Sequence, residues 1–347
     1  MSHISNLTSH PDSYRDSPKK ILIRLPNWLG DVVMSSAFVG VVKSFYPDAV
    51  IDAIAKKELA GAAGLIAGLS QLHLFSKREN PGLKGAYHFG KQLKTEKYDL
   101  FFNLPESFSS QLMAKATGAK RRVGFSKEGS FFLLTDRYKK PANVHRVEEY
   151  VSLAEQFTGK KIERYEVKLD VAKPAKPVED VVIINFNSEA SSRRMPPEKA
   201  IHIINVLTGT FTKTHFTFIG TKKEDEFIEQ IIQGAENADR LENIAGKTDL
   251  MSLAHILGVA AVVLTTDSGP AHLANSAGAP TIVLFGAGNE QNTAPYNKQD
   301  LHIIRYGKLD CEPCVKNTCK LYGIPKCMQL LDEMQIVAAL KTYLPNG

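Results

Sequence analysis

The sequence predicts an α/β protein in which two doubly wound β/α domains face each other across a cleft. Apolar strand-like segments alternate with helical segments along most of the 347 residues, which is the pattern of parallel sheets covered by helices. The pattern is interrupted once, at 171–180 (VAKPAKPVED), where two prolines fall in a run that fits neither a helix nor a strand. We therefore predict a domain boundary within this segment.

Four segments follow from these changes of pattern. Residues 1–20 are polar throughout and predict a flexible N-terminal arm, residues 21–173 a first domain, and residues 174–330 a second domain. Residues 331–347 predict a C-terminal helix without a sheet partner of its own, for which the first domain is a candidate packing surface.

The elements can be predicted in order. In the first domain we predict strands at 20–25, 50–54, 72–75 and 100–104, and helices at 32–45, 61–68, 83–94, 109–117 and 144–156. In the second we predict strands at 181–185, 215–220, 261–265 and 281–285, and helices at 197–207, 224–233 and directly after residue 268. The ligands of such domains are expected in the cleft between them, at the loops that follow the strands.

The stretch 261–286 predicts an anion site. A strand is followed by Asp267-Ser268-Gly269-Pro270, and Ser268 or Gly269 can cap the next helix while Pro270 suits its first position. A helix that begins at the carboxyl end of a strand directs free N–H groups and the positive end of its dipole outward, where phosphate binds. The alternative is that these residues form only a well-capped turn.

Composition excludes several classes of protein. Hydrophobic residues make up 43% and charged residues 23%, which excludes a disordered chain, and no apolar run is long enough to span a bilayer. The N-terminal arm lacks the apolar core of a signal peptide, so we expect a cytoplasmic protein. No G-x-G-x-x-G follows a strand, and Gly246-Lys247-Thr248 lacks the earlier glycine of a P-loop.

The charge is unevenly distributed. Residues 1–150 hold 22 Lys and Arg against 14 Asp and Glu, whereas residues 151–347 hold 21 against 23. The first domain therefore faces an anionic partner, either a phosphorylated substrate or an anionic membrane surface. Nucleic acid is not expected, because the aromatic residues do not interleave with the basic ones. Arg121 and Arg122, in what reads as a loop, are candidates for this contact.

Three further positions are candidates for chemistry. Asp31 begins a predicted helix, where it is either a first-turn carboxylate favoured by the helix dipole or a general base at the cleft, and both can hold together. Arg193 lies with Arg194 in the loop after the second domain's first strand, on the same sheet edge as Asp267. His272 lies in the first turn of the anion-facing helix, as a structural residue or a ligand contact.

All four cysteines fall in one segment, as Cys311, Cys314, Cys319 and Cys327. In a reducing cytosol, C-x2-C with two further thiols suggests a small structural zinc site, and the alternative is a set of free thiols near the cleft.

The segment 21–31, ILIRLPNWLGD, resembles the N-terminal motif of the ADP-heptose:lipopolysaccharide heptosyltransferases (glycosyltransferase family nine), closest to heptosyltransferase II. The segments 103–108 (NLPESF), 122–125 (RVGF) and 145–150 (HRVEEY) are similar to further motifs of that family, and 266–272 (TDSGPAH) matches its most specific motif. The resemblance extends in order from residue 21 to about residue 344.

This resemblance implies a GT-B fold, meaning two Rossmann-like domains around a cleft, and inverting glycosyl transfer without a required metal. It implies a heptose donor, ADP-L-glycero-D-manno-heptose, and an acceptor in the phosphorylated lipid A/Kdo inner core at the inner face of the cytoplasmic membrane. Asp31 matches the family's catalytic base. Arg193 falls where the family usually has a lysine, and Met195 replaces a usual tryptophan, so the details of donor packing differ here.

The remaining candidates form two binding sets. The donor-binding set is Arg193, Thr248, Asp267, Ser268, Gly269, His272 and Glu224, with Asp225 as the alternative to Glu224 for the ribose hydroxyls. The acceptor-binding set is Asn27, Trp28 and Ser107, together with Arg121 and Arg122, which are predicted from charge alone. We expect a monomer. A nucleotide-sugar epimerase of the same fold and a non-enzymatic anion-binding protein are the alternative functions.

Overall fold

The computed structural model describes residues 18–126, 132–172 and 178–344. Most of the predicted N-terminal arm and the predicted boundary between residues 173 and 174 lie outside these residues. The arm as predicted is three residues longer than this undescribed part, and Lys20 already begins the first strand.

The first domain is a parallel sheet with helices on both faces. Its elements are β1 Lys20–Arg24, α1 Leu29–Phe45, β2 Val50–Lys56, α2 Ala60–Ala63, β3 Gln71–Phe75, α3 Gly82–Gln92, β4 Leu100–Asn103, α4 Phe108–Ala116, β5 Arg121–Phe125, β6 Asp136–Tyr138 and α5 Arg146–Thr158. The strand order is β3-β2-β1-β4-β5-β6, and every pair is parallel.

The second domain repeats this topology. Its elements are β7 Val178–Asn185, α6 Pro197–Thr210, β8 His215–Phe218, α7 Asp225–Gln233, β9 Leu241–Asn243, α8 Leu250–Val259, β10 Ala260–Thr266, α9 Gly269–Ser276, β11 Thr281–Phe285, α10 Glu290–Thr293, β12 Leu301–Arg305, α11 Lys326–Gln329 and α12 Glu333–Leu340. The order is β12-β11-β10-β7-β8-β9. Counted within each domain, both sheets have the order 3-2-1-4-5-6, which is that of the doubly wound dinucleotide-binding fold.

The eight predicted strands are all present, and the predicted α/β class is confirmed. Four strands were missed: β5, β6, β9 and β12. The helix predicted at 61–68 is only the single turn Ala60–Ala63. The prediction that Arg121 and Arg122 lie in a loop is wrong, because both belong to β5. The two adjacent arginines interrupt the apolar pattern from which strands are predicted, although the remaining residues of β5, Val123 to Phe125, are buried.

A single apolar core joins the two domains. It contains residues of α1 and α5 together with residues of α8, α9 and β10, and the segment before the domain boundary adds Val167, Leu169 and Val171. A second core fills the space under the outer face of the second sheet. Polar contacts also cross between the domains: His145 Nε2 donates to the Ala294 carbonyl at 2.8 Å, and Asn292 donates to the Val144 carbonyl at 3.0 Å.

The C-terminal helix α12 packs on the second domain, which corrects the expectation that the first domain receives it. Ile336, Val337 and Leu340 belong to the core under the second sheet. Glu333, at the start of the helix, bonds Lys199 of α6 at 2.6 Å. The amphipathic pattern predicted the helix, but it did not specify which apolar surface the helix would cover.

Glycines set the packing of α3 against α4, and this gives a prediction about stability. A Cβ at Gly90 would lie 2.3 Å from the Met113 carbonyl oxygen, so Gly90→Ala should separate the helices and lower the free energy of unfolding by about 1–3 kcal/mol. Gly40, exposed in the middle of α1, has no atom within 4 Å of that position. Gly40→Ala should therefore raise the free energy by up to about 1 kcal/mol through helix propensity. Urea denaturation measures both variants, and shifts of the same sign would contradict this account.

Candidate active site

Each sheet has one point where the strand order reverses, and ligands of doubly wound domains bind at the carboxyl edge there. In the first domain it lies between β1 and β4, and in the second between β7 and β10. The loops after β4, β7 and β10 carry Ser107, Arg193 and Asp267, and Asp31 lies in the first turn of the helix that follows β1. These residues were predicted at sheet edges, and the topology brings them to the two switch points.

Asn27 and Trp28 occupy the loop after β1. The buried Arg24 donates to Asn27 Oδ1 at 2.7 Å and to the Ile54 carbonyl at 3.2 Å, which fixes this loop to the sheet. Trp28 is 59% exposed, and the Lys56 ammonium lies 5.4 Å from its ring centroid. The predicted acceptor residues therefore form an exposed aromatic and cationic surface at the edge of the first domain.

Ser107 caps α4 at the neighbouring strand. Its Oγ accepts a hydrogen bond from Ser110 N at 3.2 Å, and the buried Asn103 donates to the Pro105 carbonyl at 2.6 Å. These bonds hold the β4 loop in place beside the β1 loop, since β1 and β4 pair directly. Ser107 thus lies at the predicted edge but also has a structural role there.

Asp31 lies in the first turn of α1, two residues after the helix begins. Its carboxylate is 3.6 Å from Arg146 Nε, and Tyr150, on the same helix as Arg146, also acts on it. Burial raises the pKa of Asp31, and the nearby Arg146 and Tyr150 oppose that rise. Asp31 therefore occupies a position that the helix dipole favours, and its surroundings also shift its pKa. This position is compatible with both predicted roles, a first-turn carboxylate and a general base.

Ser268 is the N-cap of α9 and makes no side-chain capping bond. Its Oγ accepts from Asn185 Nδ2 at 2.8 Å and donates to the Thr266 carbonyl at 3.1 Å. The hydroxyl is therefore used to join the β10 loop to the end of β7. What remains to face a ligand is the backbone at the start of α9, where N–H groups and the helix dipole favour an anion.

Arg193 and Asp267 form an ion pair across the switch point, with Nη1 and Oδ2 3.4 Å apart. Asp267 is 3% exposed, and burial raises its pKa against the opposing effect of Arg193. A carboxylate would repel a diphosphate, so Asp267 suits orientation of the arginine better than contact with phosphate. Gly288 is required beside it, because a Cβ there would lie 2.0 Å from Asp267 Oδ2.

Arg194 points elsewhere. Its guanidinium donates to the Ser188 carbonyl at 3.0 Å and lies 5.8 Å from the Phe227 ring centroid. Of the two adjacent arginines, only Arg193 reaches the carboxylate at the switch point.

His272 is a buried neutral histidine in the first turn of α9. It is 6% exposed, and burial lowers its pKa to about 3, with smaller effects from His145 and Arg193. Its Nδ1 is buried and has no hydrogen-bond partner within the described residues. An unpaired buried ring nitrogen at a helix N-terminus is unfavourable unless a ligand uses it, which supports the ligand contact over a purely structural role.

The β8 and β9 loops hold the remaining donor candidates. Glu224 accepts from Thr221 N at 2.6 Å and from its hydroxyl at 2.9 Å, as part of a capping box. Asp225 pairs with Lys222 and accepts from Asn243 at 2.9 Å. Thr248 lies in the loop after β9 at the same sheet edge. Both acids have protein partners, so the choice between them for ribose stays open.

Arg121 and Arg122 lie at the opposite edge of the first sheet. Arg121 is the first residue of β5, where it pairs with Leu100 in the sheet register and bonds Asp136 through its guanidinium. Arg122 donates to the Leu133 carbonyl at 2.9 Å and to the Ala119 carbonyl at 2.8 Å. The structure does not bring these two acceptor candidates to the cleft edge where Asp31 lies.

The four cysteines line one small cavity together with Ser192, Ala287 and Glu312. All four are free thiols, and within residues 18–126, 132–172 and 178–344 no three His, Cys, Asp or Glu side chains are arranged to hold a metal ion. The same segment contacts the loops after β7 and β11: Ser192 N donates to the Asn317 carbonyl at 3.2 Å, and Val315 N to the Ala287 carbonyl at 2.8 Å.

The two candidate loops meet where α1 and α9 begin. A Cβ at Gly30 would lie 2.7 Å from the His272 ring, and a Cβ at Gly269 would lie 2.8 Å from Leu29. The two missing side chains let the domains approach closely, so Asp31 is next in sequence to the residue that touches His272. The carboxylate of one domain and the anion-binding helix of the other therefore share one site.

Sequence analysis named HRVEEY as a motif but missed its role at the site, which Arg146 and Tyr150 supply. Asn185 was also missed, although it is 2% exposed and holds Ser268. A buried asparagine at the carboxyl end of an apolar strand was the available signal for the latter. The partners of Asp31 had no local signal, because Arg146 is 115 positions away.

Two Rossmann-like domains of this strand order, with a carboxylate and the N-terminus of a helix facing each other at the cleft, form a GT-B fold. A model of the family Glycosyltransferase family 9 (heptosyltransferase) matches residues 86–324. The chain belongs to this family. Membership decides for a glycosyltransferase over the two alternatives, an epimerase and a non-enzymatic anion-binding protein.

Individual comparisons agree. The chain is 28% identical to the lipopolysaccharide core heptosyltransferase OpsX of Haemophilus influenzae, over 84% of this chain and 86% of that protein. It is 26% identical to lipooligosaccharide heptosyltransferase 2 of Campylobacter jejuni, over 94% and 99%. The solved structure of ADP-heptose lps heptosyltransferase II of Escherichia coli superposes with a TM-score of 0.78 at 20% identity, covering 93% of this chain and 98% of that one.

Among the helices that the structure describes, none has the length and apolar character needed to span a bilayer.

The neutrality of His272 predicts a pH effect on stability. Its pKa in the folded state, about 3, is below the unfolded value near 6.5, so the unfolded chain binds the extra proton between these values. Above about pH 6.5, His272 is neutral in both states and does not lower the free energy of unfolding. Below that pH, the free energy of unfolding should fall by up to about 1.4 kcal/mol per pH unit on acidification. His272→Gln should reduce this slope in urea denaturation at pH 7 and pH 5. The exposed His88→Gln is the matched control, and equal slopes for His272→Gln and wild type would contradict the prediction.

Proposed function

We propose that this enzyme transfers a heptose from ADP-L-glycero-D-manno-heptose to the inner core of lipopolysaccharide with inversion, as a heptosyltransferase II-like enzyme. The proposal depends above all on the contact between the start of α1 and the first turn of α9, which places Asp31 beside the anion-binding helix. The relatives' names supply the sugar and the acceptor class, because they are lipopolysaccharide core and lipooligosaccharide heptosyltransferases.

The donor's diphosphate would lie at the β7–β10 switch point. Arg193 supplies the positive charge, the backbone at the start of α9 supplies N–H donors, and neutral His272 supplies a hydrogen bond rather than a charge. The ribose and adenine would extend along the same edge, toward Glu224 or Asp225 and toward Thr248. Together these groups stabilise the negative charge that develops on ADP as it leaves.

The reaction is a single displacement. Asp31 takes the proton of the acceptor hydroxyl, the oxygen forms a bond to the anomeric carbon, and the bond from that carbon to the β-phosphate oxygen breaks. The electron pair leaves with ADP toward Arg193 and α9. Attack from the side opposite to the leaving group inverts the anomeric configuration.

The acceptor would approach the first domain's edge, past Asn27, Trp28 and Ser107. Exposed Trp28 and half-buried Lys56 offer a stacking face and a cation for a phosphorylated sugar. The excess of basic residues in 1–150 suits an anionic substrate carried by a membrane, so we propose that the enzyme works peripherally at the inner face of the cytoplasmic membrane.

The proposed transfer requires no metal, because Arg193 and α9 provide the charge that a metal ion would otherwise supply. The structural zinc site suggested by the cysteine spacing stays a prediction. Cys311, Cys314, Cys319 and Cys327 line one cavity, but among the described residues their side chains are not arranged to hold a metal ion.

The assignment of the base predicts the behaviour of Asp31→Asn. The amide keeps the shape of the side chain but cannot accept a proton, so heptose transfer should fall by about 10²–10⁴-fold with an unchanged melting temperature. Transfer is measured with ADP-heptose and a Kdo-lipid A acceptor, as ADP release that depends on the acceptor. Asp48→Asn, exposed beyond the other end of α1, is the control. A turnover of half the wild-type value in Asp31→Asn would contradict the assignment.

The adjacent arginines allow a matched test of the donor site. Arg193→Ala removes a charge-assisted contact to phosphate, so ADP affinity should fall by about 10–100-fold in isothermal titration. Arg194→Ala removes an equal charge one residue away, but its guanidinium faces Ser188 and Phe227. ADP affinity of Arg194→Ala should remain near that of the wild type, and an equal loss in both variants would remove Arg193 from the site.

A further inference from the structure

Three residues on one face of α5 surround the carboxylate of Asp31. Arg146, Glu149 and Tyr150 are separated by three and four positions, so their side chains project from the same side of the helix. Arg146 Nη1 donates to both oxygens of Glu149, at 2.8 and 2.9 Å. This leaves Arg146 Nε facing Asp31 at 3.6 Å, buried and without a hydrogen-bond partner among the described residues.

Tyr150 completes the arrangement from the next position. It is 4% exposed, and it lies beside Asp31, whose charge adds to the rise in the pKa of its hydroxyl. Burial keeps the pKa of Tyr150 well above its usual value, so it remains a donor throughout the working range. Asp31 therefore has one neutral donor and one guanidinium directed at it from α5, while its remaining exposed surface faces the cleft.

We propose that Arg146 and Tyr150 are positioning residues that keep Asp31 ionised and directed at the acceptor hydroxyl, and that Glu149 limits how strongly Arg146 does so. This inference rests on the proposed function, because it needs Asp31 to act as the base.

The charges explain why two partners and a counterion are needed. Burial alone favours the protonated form of Asp31, which cannot accept a proton. A guanidinium with no other partner would have the opposite effect, lowering the pKa by about 1–3 units and weakening the base. Glu149, which also lies 3.1 Å from Lys140 Nζ, shares the charge of Arg146. The cluster is then stable both before and after Asp31 takes the proton.

The N-terminus of α5 is fixed by the second domain. His145, the residue before Arg146, caps the helix by accepting from Val147 N, and its other ring nitrogen donates to the Ala294 carbonyl at 2.8 Å. The guanidinium is therefore held in register with the domain that binds the donor. No acid or base on α1 itself faces Asp31, and on α9 only His272 is close.

The test is the pH profile of kcat at saturating donor and acceptor. The groups that act on Asp31 are Arg146, Glu149 and Tyr150 on α5 and Lys140 before it. His272 on α9, beside Gly30, has a pKa of about 3 and stays neutral throughout. Arg146→Gln should move the acidic limb up by about one pH unit, so that the activity lost on the acidic side is recovered on the alkaline plateau. Tyr150→Phe should shift the limb in the same direction by less.

Glu149→Gln should shift the acidic limb in the direction opposite to Arg146→Gln. It removes the carboxylate that shares the charge of Arg146, so the acidic limb should move down while kcat on the plateau falls. Arg146→Lys keeps the positive charge but loses the planar guanidinium with its several N–H donors. It should leave the acidic limb of the pH profile in place and lower kcat on the plateau. Lys161→Gln, which removes an exposed cation paired with Glu155 beyond the end of α5, should leave the whole profile unchanged.

The outcomes separate this inference from the function on which it depends. If Asp31→Asn retains activity, the assignment of the base fails and the inference fails with it. If Asp31→Asn is inactive but Arg146→Gln and Tyr150→Phe lose activity equally at every pH, the base stands and the positioning role is wrong. Shifts of opposite sign for Arg146→Gln and Glu149→Gln would support the inference, since loss of packing alone has no reason to produce them.

Discussion

The close approach of two helix N-termini determines how the rest of the site works. Gly30 and Gly269 carry no side chain where α1 meets α9, so the first turn of each helix lies against the other domain. A displacement reaction needs its base and its leaving-group site within a few ångströms of the same carbon. The two glycines meet that requirement, because a single methyl group at either position would collide with His272 or Leu29.

Charge at the site is arranged so that each ionic group has a partner on its own domain. Asp31 is balanced by Arg146 and Arg146 by Glu149 in the first domain, while Arg193 rests on Asp267 in the second. Across the cleft lies a neutral histidine, so the two domains present no net ionic attraction to each other at this point. The phosphates of a bound donor would compete with Asp267 for Arg193, which links occupancy of the site to a local rearrangement.

Much of this fold could be predicted from sequence, because parallel strands buried on both faces are continuous apolar runs, and β10 and β11 were predicted within two residues. β5 was missed because two charged residues, Arg121 and Arg122, begin it. β6 was missed because three residues are too few to show the alternation of apolar and polar residues that marks a strand. The edge positions of Asp31, Arg193 and Asp267 followed from strand and loop order alone. The contacts of Asp31 could not be predicted in this way, because Arg146 reaches Asp31 only through the packing of α5 on α1. The surface that α12 covers could not be predicted either, because a local sequence pattern does not specify it.

The two domains share one apolar core, so they are not separate in their packing. Val167, Leu169 and Val171, just before the predicted boundary, are buried with residues of α1 and of α9 in one continuous apolar cluster. Cutting the chain at the boundary would leave two complete sheets, yet each half would expose apolar surface that now faces the other. The division into two domains thus describes the topology of the sheets, whereas the apolar packing is shared between them, and we expect each half alone to be less stable than the whole chain.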